Sequence, residues 1–259
     1  MNVRRGGGRG TPLVFVHGWA MSGAVWQKQL DHFSPTHRVF AVDLPGHGLS
    51  APLEGPLTIR RCGEELARFL DEERLEGAAL AGWSLGAQVV CHAALLNPAR
   101  VAKLAIVSGT PCFTMPAKNG VWGVPAAKSK WFARQIRADF ENVLRAFILT
   151  FFASGEEIPA EEEEVIKKLF FAHMPDRASA LGLLDDLHAS DIREELHRIA
   201  VPSLIVHGRN DRIIPLEVTG VWTGFLASRA DITVVPDCGH APFLTRPEAF
   251  NRVLEAFLE

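Results

Sequence analysis

The chain has 259 residues, of which 47% are apolar, and a formal net charge of −3 at neutral pH. This length accommodates one large hydrophobic core, or a core with a small additional domain. The balanced charge gives no reason to expect nucleic acid, and the sequence has no uncharged apolar run of membrane-spanning length. Residues 1–10 are basic and glycine-rich without an apolar stretch after them, so we expect loose order there and no secretion signal.

Short apolar runs alternate with helical patterns along most of the chain. We predict strands over 13–16, 39–42, 78–81, 104–107, 204–206 and 232–235, and helices over 24–33, 58–74, 85–96, 215–226 and 247–258. This alternation predicts an α/β fold with a mainly parallel, doubly wound sheet covered on both faces.

One long region interrupts the alternation of strands and helices. From residue 112 to about 186 the sequence has no strand pattern, only proline-interrupted helical segments such as 130–152 and 160–173. We therefore predict a core of residues 1–111 and 187–259, with a helical cap over 112–186 inserted before the strand at 204–206.

A candidate nucleophile lies between the predicted strand at 78–81 and the helix at 85–96. Residues 82–86 read Gly-Trp-Ser-Leu-Gly, which matches G-x-S-x-G. In this context Ser84 occupies a sharp strand-to-helix turn that exposes its hydroxyl, and Gly82 and Gly86 allow strand and helix to approach closely. The same five residues also occur in ordinary loops, so the assignment needs partner residues.

The chain supplies an acid and a base in the order serine, acid, histidine. Asp211 follows the predicted strand at 204–206, and His240 follows the strand at 232–235. A neutral His240 can accept the Ser84 proton, while Asp211 fixes the imidazole tautomer and stabilises the imidazolium. Asp237 and Asp231 are weaker candidates for the acid, because one is only three residues from His240 and the other precedes its strand.

The first predicted strand is followed by His17-Gly18-Trp19. In the G-x-S-x-G hydrolases, one oxyanion-hole N–H belongs to the residue after the nucleophile and another to a loop near the N-terminus. These donors are Leu85 and Trp19 here. Alternatively, His17 and Gly18 only turn the chain after the strand, and both interpretations can hold together.

The four cysteines, Cys62, Cys91, Cys112 and Cys238, have no metal-ligand or redox spacing. We therefore expect a reducing, cytoplasmic location, with no structural metal and no cofactor. Cys238 lies close to His240 and is an alternative nucleophile, but it does not occupy a strand-to-helix turn of the kind that surrounds Ser84.

The whole chain resembles the α/β-hydrolases, and more narrowly the pimeloyl-[acyl-carrier protein] methyl ester esterases of biotin synthesis. The matching stretches are His17-Gly18-Trp19, residues 43–50 (DLPGHGLS), 82–86 (GWSLG), 110–113 (TPCF) and 239–243 (GHAPF). The resemblance implies a V-shaped helical cap, a triad of Ser84, Asp211 and His240, and release of methanol from an acyl methyl ester. It also implies substrate contacts by Trp19, Trp83 and Phe147, with Trp83 as the wall of the acyl pocket opposite Phe147; the alternative is that Trp83 and Phe147 only pack the core. We expect a monomer with a reduced pair of outer strands.

The chain departs from this family at the positions expected to hold the carrier protein. The family docks its acidic carrier through arginines on the cap, where this chain has Asn142, Ala146, Ala160 and Glu164. A shifted basic face is available from Lys128, Lys130, Arg134, Arg137 and Arg145. Cap aromatics in excess of packing needs, Phe113, Trp122, Trp131, Phe132, Phe140, Phe147, Phe151, Phe152, Phe170 and Phe171, predict an apolar pocket lined by some of them.

Other functions stay open at this point. The same triad serves a general short-chain carboxylesterase, a thioesterase or a carbon–carbon bond hydrolase without any carrier protein. A hydrolase-fold module that binds a ligand without turnover also keeps these residues. Dehalogenase and epoxide hydrolase chemistry is disfavoured, because both need an aspartate at the position of Ser84.

Overall fold

The computed structural model describes residues 1–114, 124–226 and 230–259. Within these residues one seven-stranded sheet has the order β1-β3-β2-β4-β5-β6-β7. The strands are β1 (Asn2–Gly6), β2 (Pro12–Val16), β3 (Arg38–Asp43), β4 (Ala78–Trp83), β5 (Val101–Val107), β6 (Ser203–Gly208) and β7 (Ala230–Val235). Only β1 pairs antiparallel, with β3, and all other neighbours are parallel. The predicted mainly parallel sheet is confirmed.

The helices that flank this sheet follow the strands along the chain. Their bounds are α1 (Gln27–Phe33), α2 (Ile59–Glu72), α3 (Leu85–Leu96), α4 (Ala126–Ala138), α5 (Phe140–Leu149), α6 (Ala160–Phe171), α7 (Arg177–Ala189), α8 (Val218–Phe225), α9 (Pro242–Thr245) and α10 (Pro247–Leu258). Every residue of β2, β4 and β6 is buried. Because successive strand side chains point to opposite faces, this burial requires cover on both faces of the sheet. No helix of the described residues is long and apolar enough to cross a membrane.

The amino-terminal segment differs from its predicted loose order. Asn2–Gly6 forms β1 and pairs with β3 along its length. Arg5 donates two hydrogen bonds to Glu73, at 2.7 and 2.8 Å, and the Asn2 amide donates to Asp43 at 2.7 Å. These side-chain bonds and the strand ladder order a segment whose glycine content alone predicts disorder, so that expectation was wrong.

The predicted helix at 130–152 is two helices. Asp139 has an extended backbone, with φ −142° and ψ 84°, and its side chain accepts a hydrogen bond from the Asn142 N–H. An aspartate at this position caps a new helix by accepting one of its free N–H groups. The helix is therefore interrupted between α4 and α5. The interruption is not visible in the sequence, because the apolar pattern of a helix continues across it.

Helices α4 to α7 lie in the long insertion between β5 and β6. Their buried side chains, among them Ile136, Leu144, Ile166 and Leu183, belong to the same hydrophobic core cluster as the sheet. The predicted cap boundary at residue 186 falls within α7, and the division into core and cap stays a prediction. Trp122, one of the predicted cap aromatics, lies outside the described residues.

The strand order creates one topological switch point. Strand β2 has β3 on one side and β4 on the other. In open parallel sheets, ligands bind outside the carboxyl ends of the strands at such a point. The loop after β2 contains His17-Gly18-Trp19 and the turn after β4 contains Ser84, so the fold brings these two motifs to the same edge.

Candidate active site

Ser84 occupies a strained turn between β4 and α3. Its backbone has φ 55° and ψ −118°, a conformation that L-residues rarely adopt. The Ser84 N–H donates to the Val107 carbonyl at 2.9 Å, which ties the turn to β5. A Cβ at Gly82 would overlap the Gly86 carbonyl, and a Cβ at Gly86 would lie 2.6 Å from the carbonyl oxygen of His17. Both glycines are therefore required by the crossing of strand and helix, as the motif predicts.

Asp211 and His240 form a buried hydrogen-bonded pair. Asp211 Oδ2 lies 2.7 Å from His240 Nδ1, and both side chains are almost fully excluded from solvent. The other carboxylate oxygen, Oδ1, accepts the N–H groups of Ile213 and Ile214 at 2.8 and 2.9 Å. A carboxylate held in this way requires a hydrogen on His240 Nδ1, so His240 Nε2 carries the lone pair that a general base needs.

His207, the fifth residue of β6, is a second histidine beside Asp211 that the sequence did not single out. Its Nε2 donates to the Ile214 carbonyl at 2.6 Å and lies 3.4 Å from Asp211 Oδ2. Burial lowers the pKa of His207, so the imidazole is neutral near pH 7. His207 therefore fixes the turn around Asp211 without adding a charge that would compete with His240. Its sequence signal was the position four residues before the candidate acid.

The main chain of His240 is held on both sides. Its N–H donates to the Phe151 carbonyl at 2.8 Å, and its carbonyl accepts the Trp83 indole N–H at 2.8 Å. Ser84 is the next residue after Trp83, so the indole bond connects the loop that carries His240 to the strand-to-helix turn at Ser84. Ser84 Oγ forms no hydrogen bond with a described residue. Contacts between nucleophile and base often lengthen without substrate and tighten in the complex.

The loop after β2 approaches the nucleophile closely. A Cβ at Gly18 would lie 3.1 Å from Ser84 Cβ, so only glycine fits there without displacement. The Gly18 carbonyl accepts a hydrogen bond from His17 Nδ1 at 2.8 Å, and His17 Nε2 accepts the Leu44 N–H at 3.0 Å. Burial lowers the pKa of His17 to about 3, so the ring is neutral and keeps both roles. Because C=O and N–H of a peptide point in opposite directions, these bonds orient the Trp19 N–H.

The two predicted oxyanion donors have free N–H groups. The Trp19 N–H has no acceptor among the described residues. Leu85 is the first residue of α3, and the first amides of a helix have no acceptor within the helix. The positive end of the α3 dipole adds to the attraction for an anion at this point. Their backbone placement is compatible with the predicted oxyanion hole, whose role stays a prediction.

An apolar cavity of about 270 Å³ lies between the insertion and the loop after Asp211. Its lining consists of Phe113, Val124, Lys128, Ser129, Trp131, Phe132, Phe147, Thr150, His188, Arg212 and Ile213. Phe132 and Phe147 also contact the Trp19 ring, with centroid distances of 6.0 and 5.7 Å. The cavity therefore shares a wall with Trp19, the residue predicted to supply one oxyanion N–H. Four of the predicted cap aromatics line it, including Phe147.

Trp83 does not contribute to the lining of this cavity. It is fully buried, and its ring contacts Phe151, Phe170, His240 and Phe243. The sequence predicts Trp83 as a wall of the acyl pocket facing Phe147. In the structure Trp83 instead contacts the core and the loop that carries His240, because its indole N–H donates to the His240 carbonyl.

The competing chemistry near His240 is poorly supported. Burial raises the pKa of the Cys238 thiol to about 12, so Cys238 is not a thiolate near neutral pH. Asp237, the rival acid, has φ 47°, and Asp211 occupies the hydrogen-bonding position on the histidine ring. Among the described residues no group of three or more His, Cys, Asp and Glu side chains is arranged to hold a metal ion.

Comparison with protein families agrees with this geometry. Residues 11–247 match the alpha/beta hydrolase fold family. The chain belongs to the α/β-hydrolases. It is 36% identical over 254 residues to a protein of Nitrosomonas europaea named pimeloyl-[acyl-carrier protein] methyl ester esterase, with 96% of each chain covered. A Vibrio cholerae protein of the same name is 36% identical over 252 residues, with 96% of this chain and 95% of that one covered. The resemblance read from the motifs is thereby confirmed.

Solved structures support the fold. An esterase from Exiguobacterium antarcticum superposes with a TM-score of 0.87 at 24% identity, covering 98% of this chain and 94% of that one. A bromoperoxidase from Bacillus anthracis superposes with a TM-score of 0.88 at 22% identity, covering 99% and 94%. The two differ in the activity their titles give, so at these identities the likeness establishes the fold alone.

Proposed function

We propose that this chain is a serine carboxylesterase that releases methanol from a methyl ester, with Ser84, His240 and Asp211 as its catalytic residues. The observation that carries the chemistry is the buried 2.7 Å bond between Asp211 and His240, on a loop tied by Trp83 to a strained Ser84. Strain at a residue with nucleophilic chemistry supports a functional role over a structural one. The carrier-linked pimeloyl ester is the substrate favoured by the names of the relatives.

In the acylation step, Ser84 Oγ attacks the ester carbonyl while His240 Nε2 removes its proton. The carbonyl oxygen becomes an oxyanion, which the N–H groups of Trp19 and Leu85 stabilise. Collapse of this intermediate breaks the bond to the methoxy group. His240 then returns the proton to that oxygen, and methanol leaves with the acyl group bound to Ser84.

Deacylation repeats the sequence with water as the nucleophile. His240 removes a proton from water, the resulting hydroxide attacks the acyl-enzyme, and the same two N–H groups stabilise the second oxyanion. The proton returns to Ser84 Oγ as the carboxylic acid departs. Asp211 remains a carboxylate in both steps and stabilises the imidazolium that forms twice in each turnover.

The insertion is proposed as the cap over this site, comprising residues 112–186. Phe147 and Phe132 connect its cavity to Trp19, so an acyl chain on Ser84 would have an apolar wall supplied by α4 and α5. The lining of the cavity also includes Lys128 and Arg212. The four cysteines are free and buried, which supports a reducing compartment such as the cytoplasm.

A carrier protein would dock on α4, close to the cavity. The positions where the family has arginines are unsuitable, since Asn142 bonds to Asp139 and Glu164 bonds to Lys167. In contrast, Lys128, Lys130 and Arg134 have no ion-pair partner among the described residues, and α4 has no acidic residue.

Two other cap arginines are already occupied. Arg137 donates to both carboxylate oxygens of Asp185, and Arg145 pairs with Glu141 while it lies over the Phe171 ring. Trp131 of α4 is 61% exposed at the cavity, an unusual position for an indole. Unpaired cations around an exposed aromatic are complementary to the acidic surface of acyl carrier proteins.

The direct test measures methanol released from pimeloyl methyl ester on acyl carrier protein, and from the free monomethyl ester. We expect turnover of both esters, with a lower KM for the carrier-linked one, and no methanol from Ser84→Ala. Preferential cleavage at the thioester, detected as free carrier thiol, would identify a thioesterase. Equal KM values would indicate a general short-chain esterase. Tight binding without product at stoichiometric enzyme would identify a module that does not turn over.

A further inference from the structure

Glu156, in the connection between α5 and α6, contacts the loop that carries His240. Its side chain is fully buried, and Oε2 accepts the N–H of Gly239 at 3.1 Å and the N–H of Ala153 at 2.7 Å. One carboxylate oxygen thus connects the insertion to the residue immediately before His240. No sequence motif marks Glu156, because it lies in an acidic stretch of ordinary surface composition.

The connection is reinforced on both sides of Glu156. The Phe151 carbonyl accepts the His240 N–H at 2.8 Å, and a Cβ at Gly239 would overlap that carbonyl and lie 2.7 Å from the Ala153 nitrogen. The segment from Phe151 to Glu156 therefore follows the histidine loop at backbone contact. Only glycine at position 239 permits this approach.

Arg246 closes the contact from the core. Its Nη1 lies 3.9 Å from Glu156 Oε1, a buried oxygen that has no hydrogen bond with a described residue. Arg246 Nη2 donates to the Asp237 carbonyl at 2.8 Å, and Nη1 donates to the Glu157 carbonyl at 3.3 Å. A buried carboxylate is costly without such partners, so its retention here calls for a role.

We propose that Glu156 is a positioning residue that sets the register of His240 relative to Ser84, so that the insertion completes the catalytic geometry as well as covering it. The proposal rests on the function proposed above. Without Glu156 the N–H groups of Gly239 and Ala153 lose their acceptor inside the protein. The His240 loop can then shift, and the imidazole loses its alignment with the hydroxyl that it must deprotonate.

The test compares Glu156→Ala and Glu156→Gln with the matched control Glu157→Ala, whose side chain is exposed, using a short p-nitrophenyl ester. Misplacing a catalytic group by about 1 Å can cost on the order of 100-fold in rate, so we expect Glu156→Ala to lower kcat 10- to 100-fold. KM should change less than about threefold, because the cavity that binds the acyl chain is not touched. Glu156→Gln keeps an oxygen that can accept both N–H groups and should recover most of kcat.

A double-mutant cycle separates positioning from simple stabilisation. If Glu156 acts through His240, Glu156→Ala has no further effect on the residual rate of the His240→Ala enzyme. An equal loss in both backgrounds, or an unchanged kcat in Glu156→Ala, would overturn the proposal. If Glu156→Ala does not fold, Glu156→Asp replaces it, since withdrawing the oxygen by one methylene should also lower kcat selectively. Full activity of Ser84→Ala would instead overturn the proposed function itself.

Discussion

The catalytic loops and the outer surface of the insertion differ in how their side chains are held. Asp211 and His240 are buried. The Asp211 carboxylate accepts main-chain N–H groups of its own loop, and the main chain of His240 bonds to the Phe151 carbonyl and the Trp83 indole. On the insertion, pairs such as Arg137–Asp185 and Arg145–Glu141 lie at the exposed surface, where ion pairs contribute little. The proposed chemistry thus depends on backbone geometry that tolerates little change, while the proposed docking of a partner depends on exposed side chains.

The largest effect is expected for the nucleophile. Ser84→Ala removes the atom that forms the acyl-enzyme, so ester hydrolysis should fall by roughly 10⁴- to 10⁶-fold. The midpoint of thermal unfolding should not fall, because Ser84 Oγ forms no hydrogen bond with a described residue. Initial rates with a p-nitrophenyl ester and a thermal melt check both expectations. Activity retained in this variant would remove Ser84 from the mechanism.

Asp211→Asn is the second test of the catalytic loops. An amide at this position favours the wrong imidazole tautomer, and a loss of about 10³- to 10⁴-fold in kcat is expected. Asp237→Asn is the matched control, since Asp237 lies on the histidine loop and asparagine tolerates its positive φ. The control should stay within about threefold of wild type. Similar losses in both variants would contradict the choice of Asp211 over Asp237.

The sequence is most informative where chemistry and chain direction constrain the site together. The structure contains the predicted Asp211–His240 pair and the glycines around Ser84, while the catalytic roles stay a prediction. The strand-to-helix turn at Ser84 needs Gly82 and Gly86 for steric reasons. A parallel sheet places the residues that follow its strands on one edge. Those two facts were enough to bring Ser84, Asp211 and His240 forward as partners. Contacts between remote segments carried no such signal. Glu156 and the indole bond of Trp83 became visible only in three dimensions, because each acts on the main chain of a distant loop.

The contrast between local sequence patterns and contacts with remote segments also explains where the predicted and observed folds differ. Buried strands of a parallel sheet are continuous apolar runs, which made β2 to β6 predictable. The edge strand β7 was predictable from its apolar run although only Val235 of it is buried. The strand β1 is an edge with a polar, glycine-rich sequence, and it is ordered by pairing with β3 and by Arg5 bonding to Glu73. The break at Asp139 was hidden because apolar periodicity continues through it. Pairing with β3 determined the structure of β1, and helix capping by Asp139 determined the interruption between α4 and α5, in both cases against the local sequence pattern.

The exposed surface offers a smaller and more selective effect. The double substitution Lys130→Glu with Arg134→Glu reverses two unpaired charges on α4 and should raise KM for the carrier-linked ester about tenfold, with the free ester unaffected. Raising the ionic strength should shrink the difference. Arg145→Glu is the control, because Arg145 is already paired with Glu141. A stronger effect of the control on the carrier-linked ester would move the docking surface to α5.

Phe147 lies between the insertion and the proposed catalytic loops, since it lines the cavity and contacts Trp19. Phe147→Ala should shift relative kcat/KM toward longer or bulkier acyl groups by up to about tenfold. Serine acylation by a small active-site phosphonate should be nearly unchanged, because triad and oxyanion donors are untouched. A uniform loss across acyl lengths with a lower melting temperature would mark Phe147 as a packing residue.

The smallest expected effect concerns acid stability. His17 has a folded pKa of about 3 against an ordinary value of 6.5, because it is buried. Between these pH values the unfolded chain binds a proton that the folded chain does not, so acid favours unfolding. The free energy of unfolding should fall by up to about 1.4 kcal/mol per pH unit from this group, with no contribution above pH 7.

Urea titrations between pH 4 and pH 7 measure that slope. His17→Asn should reduce the slope by as much as one proton. His47 and His207 have lowered pKa values for the same reason and maintain part of the slope in every variant. A His17→Asn slope equal to that of wild type would show that His17 does not titrate on unfolding.

Covalent labelling tests the central claim most directly. The protein is incubated with a small alkyl phosphonate ester, and the modified peptide is located by mass spectrometry in wild type, Ser84→Ala and His240→Ala. We expect one adduct on Ser84 in wild type, none in Ser84→Ala, and labelling slowed by at least about 100-fold in His240→Ala. An adduct on Cys238, or Ser84 labelling at the wild-type rate without His240, would contradict it.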